Sequence, residues 1–239
     1  MKKLLILSLI FPLIFLSCLK EPDPEPEVKR AYCYLHNFMQ GQERVVWEAA
    51  GHEVPDAQLY SSAFPGSIIL QEDMEEITFR VKKVTTKEEL YSQIVQLEKD
   101  IYYNVIVGGT AEDPEFIVRE IDTKNHPVSG NVKFQVMNAI PGQDSIDVYM
   151  GGTTENKKLV SGLEYFDLSD PFETSDYDAR TAITISKHTE TYEQDSVLLS
   201  SLYNSEVISS ANHFMIVAPV TFEAGSDLTL WIYNVPLEY

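Results

Sequence analysis

The chain has 239 residues, of which 44% are hydrophobic, and its 37 acidic residues outnumber 18 lysines and arginines to give a net charge of −19. This hydrophobic content is enough for one or two folded units with their own cores, and it argues against a disordered chain. The acidity excludes nucleic acid as a partner, because binding a polyanion requires a basic surface that displaces its counterions.

The N-terminus predicts export and lipid attachment. Two lysines precede an apolar segment over residues 4–16, which is too short to cross a bilayer and is typical of a signal peptide. The sequence Phe15-Leu16-Ser17-Cys18 then resembles the bacterial lipobox, in which the cysteine becomes the lipidated N-terminus. We therefore predict that residues 1–17 are a lipoprotein signal peptide and that Cys18 carries acyl chains such as palmitate. The alternative is an ordinary signal peptide that contains Cys18 by coincidence.

Residues 18–27 predict a tether. Prolines alternate with carboxylates from Glu21 to Glu27, which favours extended polyproline II at about 3.1 Å per residue, or roughly 30 Å in all. Leu19 after the cysteine is similar to the signal that lets Gram-negative lipoproteins leave the inner membrane. Lys20 before acidic residues resembles the surface-export signal of Bacteroidota lipoproteins. The predicted location is the bacterial outer membrane, with the lipid-anchored chain facing the cell exterior.

One sequence pattern occurs twice in the rest of the chain. Residues 36–51 align without a gap with residues 137–152, and each copy alternates apolar with polar residues on both sides of a turn. In the second copy this turn contains Pro141-Gly142, which fits a type II turn. The shared positions are Asn37, Gly41, Gln42 and Gly51 in the first copy and Asn138, Gly142, Gln143 and Gly152 in the second.

This repeat predicts an all-β chain. Short strands separated by turns at regular intervals favour two tandem antiparallel immunoglobulin-like β-sandwich domains, over residues 28–122 and 131–239, with a short linker between them. The segment from Thr86 to Asp100 has a capping box and helical spacing, which favour a helix, but the corresponding part of the second copy is rich in serine. We therefore predict a strand there, and we predict a turn from Phe64 to Ser67.

The alignment also assigns two residues that invite a functional interpretation. Cys33 matches Phe134 and Trp47 matches Val148, and both positions are predicted to face inward. With Cys18 lipidated, Cys33 has no partner for an intrachain disulfide. We expect a buried, inert thiol at Cys33 rather than a nucleophile, and a core side chain at Trp47.

With these residues in view, the chain resembles a group of bacterial lipoproteins known as domain-of-unknown-function family 4397. Its members carry segments similar to Asn138-Ala139-Ile140-Pro141, to Ile146-Asp147-Val148-Tyr149 and to the stretch from Tyr103 to Gly109. The resemblance implies an immunoglobulin-like sandwich on the cell surface or in the periplasm, with no assigned chemistry.

The sequence contains no signature of catalysis or of a cofactor site, so we expect a non-enzymatic protein without a cofactor. One acidic loop is a weak candidate for a Ca²⁺ site, because Ca²⁺ prefers six to eight oxygen ligands. The loop lacks the spacing of an EF-hand, and a solvated, self-repelling loop is the alternative. Its carboxylates are those of Asp167, Asp170, Glu173, Asp176 and Asp178.

A second weak candidate for a ligand site is aromatic. If the apolar residues of the last strand pack inward, Trp231 and Tyr233 face outward. Together with Tyr149 they would form a platform for sugar rings. The opposite facing, with Trp231 in the core, is the alternative.

These features predict a surface lipoprotein that acts in adhesion, surface structure or contact with another protein, held to the membrane by its lipid. The first alternative is a glycan-binding accessory lipoprotein of a polysaccharide uptake system. The second is a fimbrial subunit processed at Lys29-Arg30. The sequence does not identify the partner, whether protein or glycan.

Overall fold

The computed structural model describes residues 27–54, 58–150, 158–175, 182–189, 197–202, 212–223 and 226–235. This part of the chain is all-β and contains no helix, as the sequence predicts. The strands of the first half are β1 (Lys29–Asn37), β2 (Arg44–Ala49), β3 (His52–Glu53), β4 (Gln58–Leu59), β5 (Ala63–Leu70), β6 (Met74–Lys83), β7 (Glu89–Glu98), β8 (Tyr102–Gly109) and β9 (Pro114–Glu120). The strands of the second half are β10 (Val132–Asn138), β11 (Ser145–Met150), β12 (Lys158–Glu164), β13 (Phe172–Thr174), β14 (Ala182–Lys187), β15 (Val197–Leu202), β16 (Asn212–Pro219) and β17 (Leu228–Asn234).

The strands of the first half form two sheets that enclose one hydrophobic core. One sheet has the order β5-β1-β8-β9, and the other has the order β3-β2-β6-β7, with β4 also paired to β2. Side chains from both sheets, including Trp47, Phe79 and Val105, meet in the core between them. This arrangement is a β-sandwich. The pairs are antiparallel except for β1 with β8, which run parallel and so correct the expectation of purely antiparallel sheets.

The second half repeats this arrangement, except that β4 has no counterpart among the described strands. Its sheets have the orders β13-β10-β16-β17 and β12-β11-β14-β15, and residues such as Phe134, Ile146 and Met215 fill the core between them. Here too the first strand, β10, runs parallel to its neighbour β16. The common strand order is the structural counterpart of the sequence repeat.

Residues shared by the two copies make the same local hydrogen bonds and adopt the same backbone conformation. The side-chain oxygens of Asn37 and Asn138 each accept a hydrogen bond, 3.1 Å long, from the backbone N–H two residues further on. Gly41 and Gly142 both have a φ of 73°, which a type II turn requires and which glycine adopts without strain. The repeated motif therefore specifies how the chain leaves the first strand of each sandwich.

The core predictions for the first sandwich are confirmed. Cys33 is 2% exposed and Trp47 is fully buried. The ambiguous segment after Thr86 forms strand β7, which pairs with β6 and buries Leu97 in the core. The turn predicted from Phe64 to Ser67 is wrong, because these residues lie within β5. A proline is tolerated there because β5 is an edge strand and needs hydrogen bonds on one side alone.

A third hydrophobic cluster joins the two sandwiches. It lies between the outer face of the β5-β1-β8-β9 sheet and the outer face of the β13-β10-β16-β17 sheet. Ile106 contributes from the first sandwich, and Ile216 and Trp231 contribute from the second. His36 of β1 is also fully buried, with its ring 4.8 Å from that of Tyr233. The two outer faces therefore cover each other.

Hydrogen bonds fix the segment that connects the sandwiches. The carboxylate of Asp122 accepts bonds from the backbone N–H of Asn125 at 2.9 Å and from Lys133 Nζ at 2.9 Å. The Asn212 side chain donates to the Asp122 carbonyl oxygen at 3.0 Å. Burial alone would raise the pKa of Asp122, but these hydrogen bonds outweigh it and lower the pKa to about 2. The connection is thus anchored to the second sandwich.

Candidate functional site

A groove of about 900 Å³ opens along one side of the first sandwich. It lies between β5, at the edge of one sheet, and β3 with the first half of β6 in the other sheet. Strand β3 consists of His52 and Glu53 and pairs with the last two residues of β2. Because the edge of this sheet is so short, it leaves the space beside β5 uncovered.

The floor of the groove is apolar. Leu35, Ala49 and Ile77 are each at most 6% exposed, and Ile68 of β5 packs against them. Cys33 also lies on the floor, where burial raises the pKa of its thiol to about 12. The thiol therefore stays protonated at neutral pH, which agrees with the expected inert cysteine.

The rim of the groove is mainly acidic. Glu53, Glu75 and Glu76 line it together with one guanidinium group, that of Arg80. This guanidinium is hydrogen-bonded to Glu48 and lies 3.3 Å from a carboxylate oxygen of Glu89. The Arg80 charge is compensated by these two carboxylates, and Glu53 is itself paired with Lys87 at 3.0 Å. The negative charge of the rim therefore comes from Glu75 and Glu76.

Glu48 supports this edge from beneath the rim. It is 8% exposed and accepts hydrogen bonds from Lys82 and Arg80. These two hydrogen bonds, first that of Lys82 and then that of Arg80, hold the pKa of Glu48 below its ordinary value. The carboxylate is therefore ionised at neutral pH and fixes both cations on the outer side of β6.

A second polar cluster lies on the outer face of the second sandwich. The buried carboxylate of Asp147 is 2.8 Å from both His188 Nδ1 and the backbone nitrogen of Gly162, and 3.1 Å from Lys158 Nζ. The Tyr149 hydroxyl donates to it at 3.3 Å. Burial acts to raise the pKa of Asp147, but these hydrogen bonds outweigh it and the pKa is lowered. The contacts join β11, β12 and the end of β14, so the cluster holds this sheet together.

The acidic loop considered for Ca²⁺ is described in part. Asp167 and Asp170 are exposed, and Asp167 accepts a hydrogen bond from the backbone N–H of Leu168. Glu173 binds the linker instead, accepting from Val128 N at 2.8 Å and from the Asn131 side chain at 2.7 Å. The remaining two carboxylates of the candidate site, Asp176 and Asp178, lie outside the described residues. Among the described residues, no group of three or more potential ligands is close enough to hold a metal ion.

The structure does not bring the three aromatic candidates together. Tyr149 is 1% exposed and belongs to the β12-β11-β14-β15 sheet. Trp231 and Tyr233 do point away from the core of their own sandwich, as one of the two sequence interpretations requires, but they pack against the first sandwich. They therefore form part of the contact between sandwiches rather than an open platform for sugar rings.

The predicted lipidation site Cys18, the signal peptide and the residues of the tether before Glu27 lie outside the described residues. Within the described part, no helix is long and apolar enough to cross a membrane. Lys29 and Arg30, the processing site of the fimbrial alternative, are paired with β5 inside strand β1. Cleavage there would require β1 to separate first from β5, because proteases cleave extended, accessible backbone.

The groove is the feature that sequence reasoning missed. Its two sides come from β5 and from the β2–β3 turn, and no motif joins them in the sequence. The sequence does contain one indication of the edge strand that borders the groove, because Pro65-Gly66 inside an alternating segment is typical of an edge strand.

No protein-family model matches this chain, and no curated protein is similar to it. The resemblance to domain-of-unknown-function family 4397 stays a prediction.

Proposed function

We propose that the protein is a non-enzymatic lipoprotein of the outer membrane that binds a protein partner through the groove of its first sandwich. The observation that carries this proposal is the groove itself. It combines a concave apolar floor with a rim of a few polar groups, which is the usual composition of a binding site.

Two further features support a binding role. The buried contact between the sandwiches gives the groove a rigid support, because the groove and the interface lie on opposite faces of the β5-β1-β8-β9 sheet. The predicted tether would hold this body roughly 30 Å from the lipid, where a partner can reach it. In this proposal the lipid supplies the attachment and the groove supplies the recognition.

The test is recovery of partners from intact cells by the full, tagged, lipid-modified chain after chemical cross-linking. Two matched isoleucine variants serve as the comparison. Ile68→Gln places a polar group in the groove, whereas Ile94→Gln changes a side chain of β7 that is 62% exposed and lies outside the groove. We expect the same partner with the wild type and Ile94→Gln, and its loss with Ile68→Gln, provided that both variants have similar unfolding midpoints.

Recovery of the same partner by both variants would contradict binding through the groove. Protease treatment of intact cells tests the location separately. Digestion of the folded part is expected, and complete protection would contradict the surface position. Acyl labelling of the wild type but not of Cys18→Ser tests the anchor.

A further inference from the structure

We infer that the groove binds an extended, basic segment of the partner protein, which adds to β5 as a new antiparallel edge strand. The inference rests on the proposed function and names the kind of segment that the groove accepts. It follows from the free backbone edge of β5, from the apolar floor of the groove and from the negative charge of its rim.

The backbone of β5 offers a free edge. All eight of its residues pair with β1 on one side, from Ala63 opposite His36 to Leu70 opposite Lys29. No described strand pairs with it on the other side. In an antiparallel edge strand, alternate N–H and C=O groups point away from the sheet, where another strand can bind them. Pro65 has no N–H to offer on this side, so the uninterrupted edge runs over residues 66–70, which at about 3.3 Å per residue is still the length of a short strand.

The floor determines which side chains suit such a strand. A strand added beside β5 would extend its sheet over the groove, and every second side chain would point between the two sheets. The surfaces that those side chains would meet are Leu35, Ile68 and Ile77, all apolar. Apolar residues such as valine or isoleucine therefore fit the inward positions, and polar residues fit the positions between them. Pockets for alternate side chains are the ordinary basis of specificity in peptide recognition by strand addition.

The rim charge selects among extended segments. Glu75 and Glu76 lie along the mouth of the groove, and the Arg80 charge is compensated by Glu48 and Glu89. A basic segment is therefore attracted and an acidic one is repelled. The same charge disfavours a fatty acid, whose carboxylate would lie at this rim. It also disfavours the acidic residues 20–27 of the chain itself, whose three prolines lack N–H groups that could pair with β5.

The probe is a blocked synthetic peptide of about nine residues, the length of a natural strand, in which valine alternates with lysine or threonine. One control peptide has the same sequence with N-methyl groups on alternate amides, and another has glutamate in place of lysine. We expect calorimetry with the full chain to show binding of the lysine peptide. We expect at least tenfold weaker binding of the N-methylated peptide and of the glutamate peptide.

Hydrogen exchange locates the bound peptide. The amides of β5 should exchange more slowly in the presence of the lysine peptide, while those of β9, the opposite edge of the same sheet, should not change. Slow exchange of all β5 amides before the peptide is added would mean that a segment of the chain already covers the edge, and it would overturn the inference.

Rim and floor variants test the specificity. Glu76→Lys should weaken binding of the lysine peptide by about threefold to fivefold, and less so at high salt, because salt screens an exposed charge. Glu112→Lys, an exposed carboxylate in the β8–β9 turn, is the matched control and should leave binding unchanged. Ile68→Gln should weaken binding more than Ile94→Gln, whose exposed side chain lies on β7 outside the groove.

Three further results would overturn strand addition: equal binding of the N-methylated peptide, protection of another edge, or tighter binding of palmitic acid than of the lysine peptide. The last would identify the groove as a lipid site. These results are distinct from failure of the proposed function. A partner that is lost with Ile68→Gln but is not displaced by the lysine peptide would support the groove and reject the strand.

Discussion

The Tyr233 hydroxyl in the last strand donates a hydrogen bond to the carbonyl oxygen of Ser61, 3.1 Å away and 172 residues earlier in the chain. Ser61 lies in the turn before β5, and its own N–H donates to the Asn37 carbonyl oxygen at 2.6 Å. Through Ser61, the second sandwich is thus linked by hydrogen bonds to Asn37, the residue of the repeated motif at the end of β1. The contact between the sandwiches is specific as well as apolar.

Tyr233→Phe should reduce the free energy of unfolding by about 1 kcal/mol, because the Ser61 carbonyl oxygen loses its donor while the ring stays in place. Urea unfolding measured by fluorescence gives the value. Tyr32→Phe is the matched control, since within the described residues the Tyr32 hydroxyl makes no hydrogen bond. Equal stability of Tyr233→Phe and the wild type would show that the hydrogen bond contributes nothing.

Acid should weaken the chain through His36. Burial at the contact between the sandwiches lowers the pKa of His36 from 6.5 to about 4, against the opposing effect of its 3.0 Å hydrogen bond with Asn104. Between these two values the unfolded chain binds a proton that the folded chain does not. Stability should therefore fall as the pH is lowered from about 6.5 to 4, by up to about 3 kcal/mol, and this effect should level off below pH 4.

The measurement is the urea midpoint from pH 4 to pH 7.5 for the wild type and for His36→Gln, in which the titrating group is absent. We expect the variant to have a clearly smaller slope in this window. His52→Gln is a suitable control, because His52 is exposed on β3. An identical slope in the wild type and His36→Gln would show that His36 does not carry the pH dependence.

Asp147→Asn should destabilise the second sandwich by about 3 kcal/mol, since it removes the buried negative charge to which His188, Lys158 and the Gly162 N–H are hydrogen-bonded. The pKa of Asp147 lies below its ordinary value in the folded chain, so its contribution is present above pH 4 and is lost as the pH falls through the folded pKa. The difference between the wild type and the variant should therefore shrink below pH 4. Asp144→Asn, an exposed neighbour, should have little effect in thermal unfolding at either pH.

The repeat and the apolar alternation predicted the sheets and much of the core. The alternation did not predict which strand faces are buried when that burial depends on the other sandwich. It allowed Trp231 on either side of its strand, and it carries no information about the sandwich that packs against this residue. The helical spacing in β7 was likewise overridden by pairing with β6, which buries Leu97 and leaves Ile94 62% exposed.

The binding groove was beyond prediction for a related reason. It is a space left between β5 and the short β3, and its size depends on where the edge of each sheet ends. Sequence patterns indicate which residues form paired strands. A groove depends instead on where the backbone has no neighbouring strand. Pro65 marked β5 as an edge strand, but the entry into β3 depends on a turn at Gly51, whose φ is 79°.

Gly108→Ala should destabilise the contact between the sandwiches. A Cβ atom at Gly108 of β8 would lie 2.2 Å from Cε2 of Phe166, a buried ring of the second sandwich, so the ring or the strand must move. Overpacking of this kind costs about 1–3 kcal/mol. Gly66→Ala is the matched control, since its Cβ would meet its nearest neighbour at an ordinary 3.6 Å. Differential scanning calorimetry should show a lower midpoint for Gly108→Ala than for Gly66→Ala, and equal midpoints would mean that the sandwiches do not press together at this point.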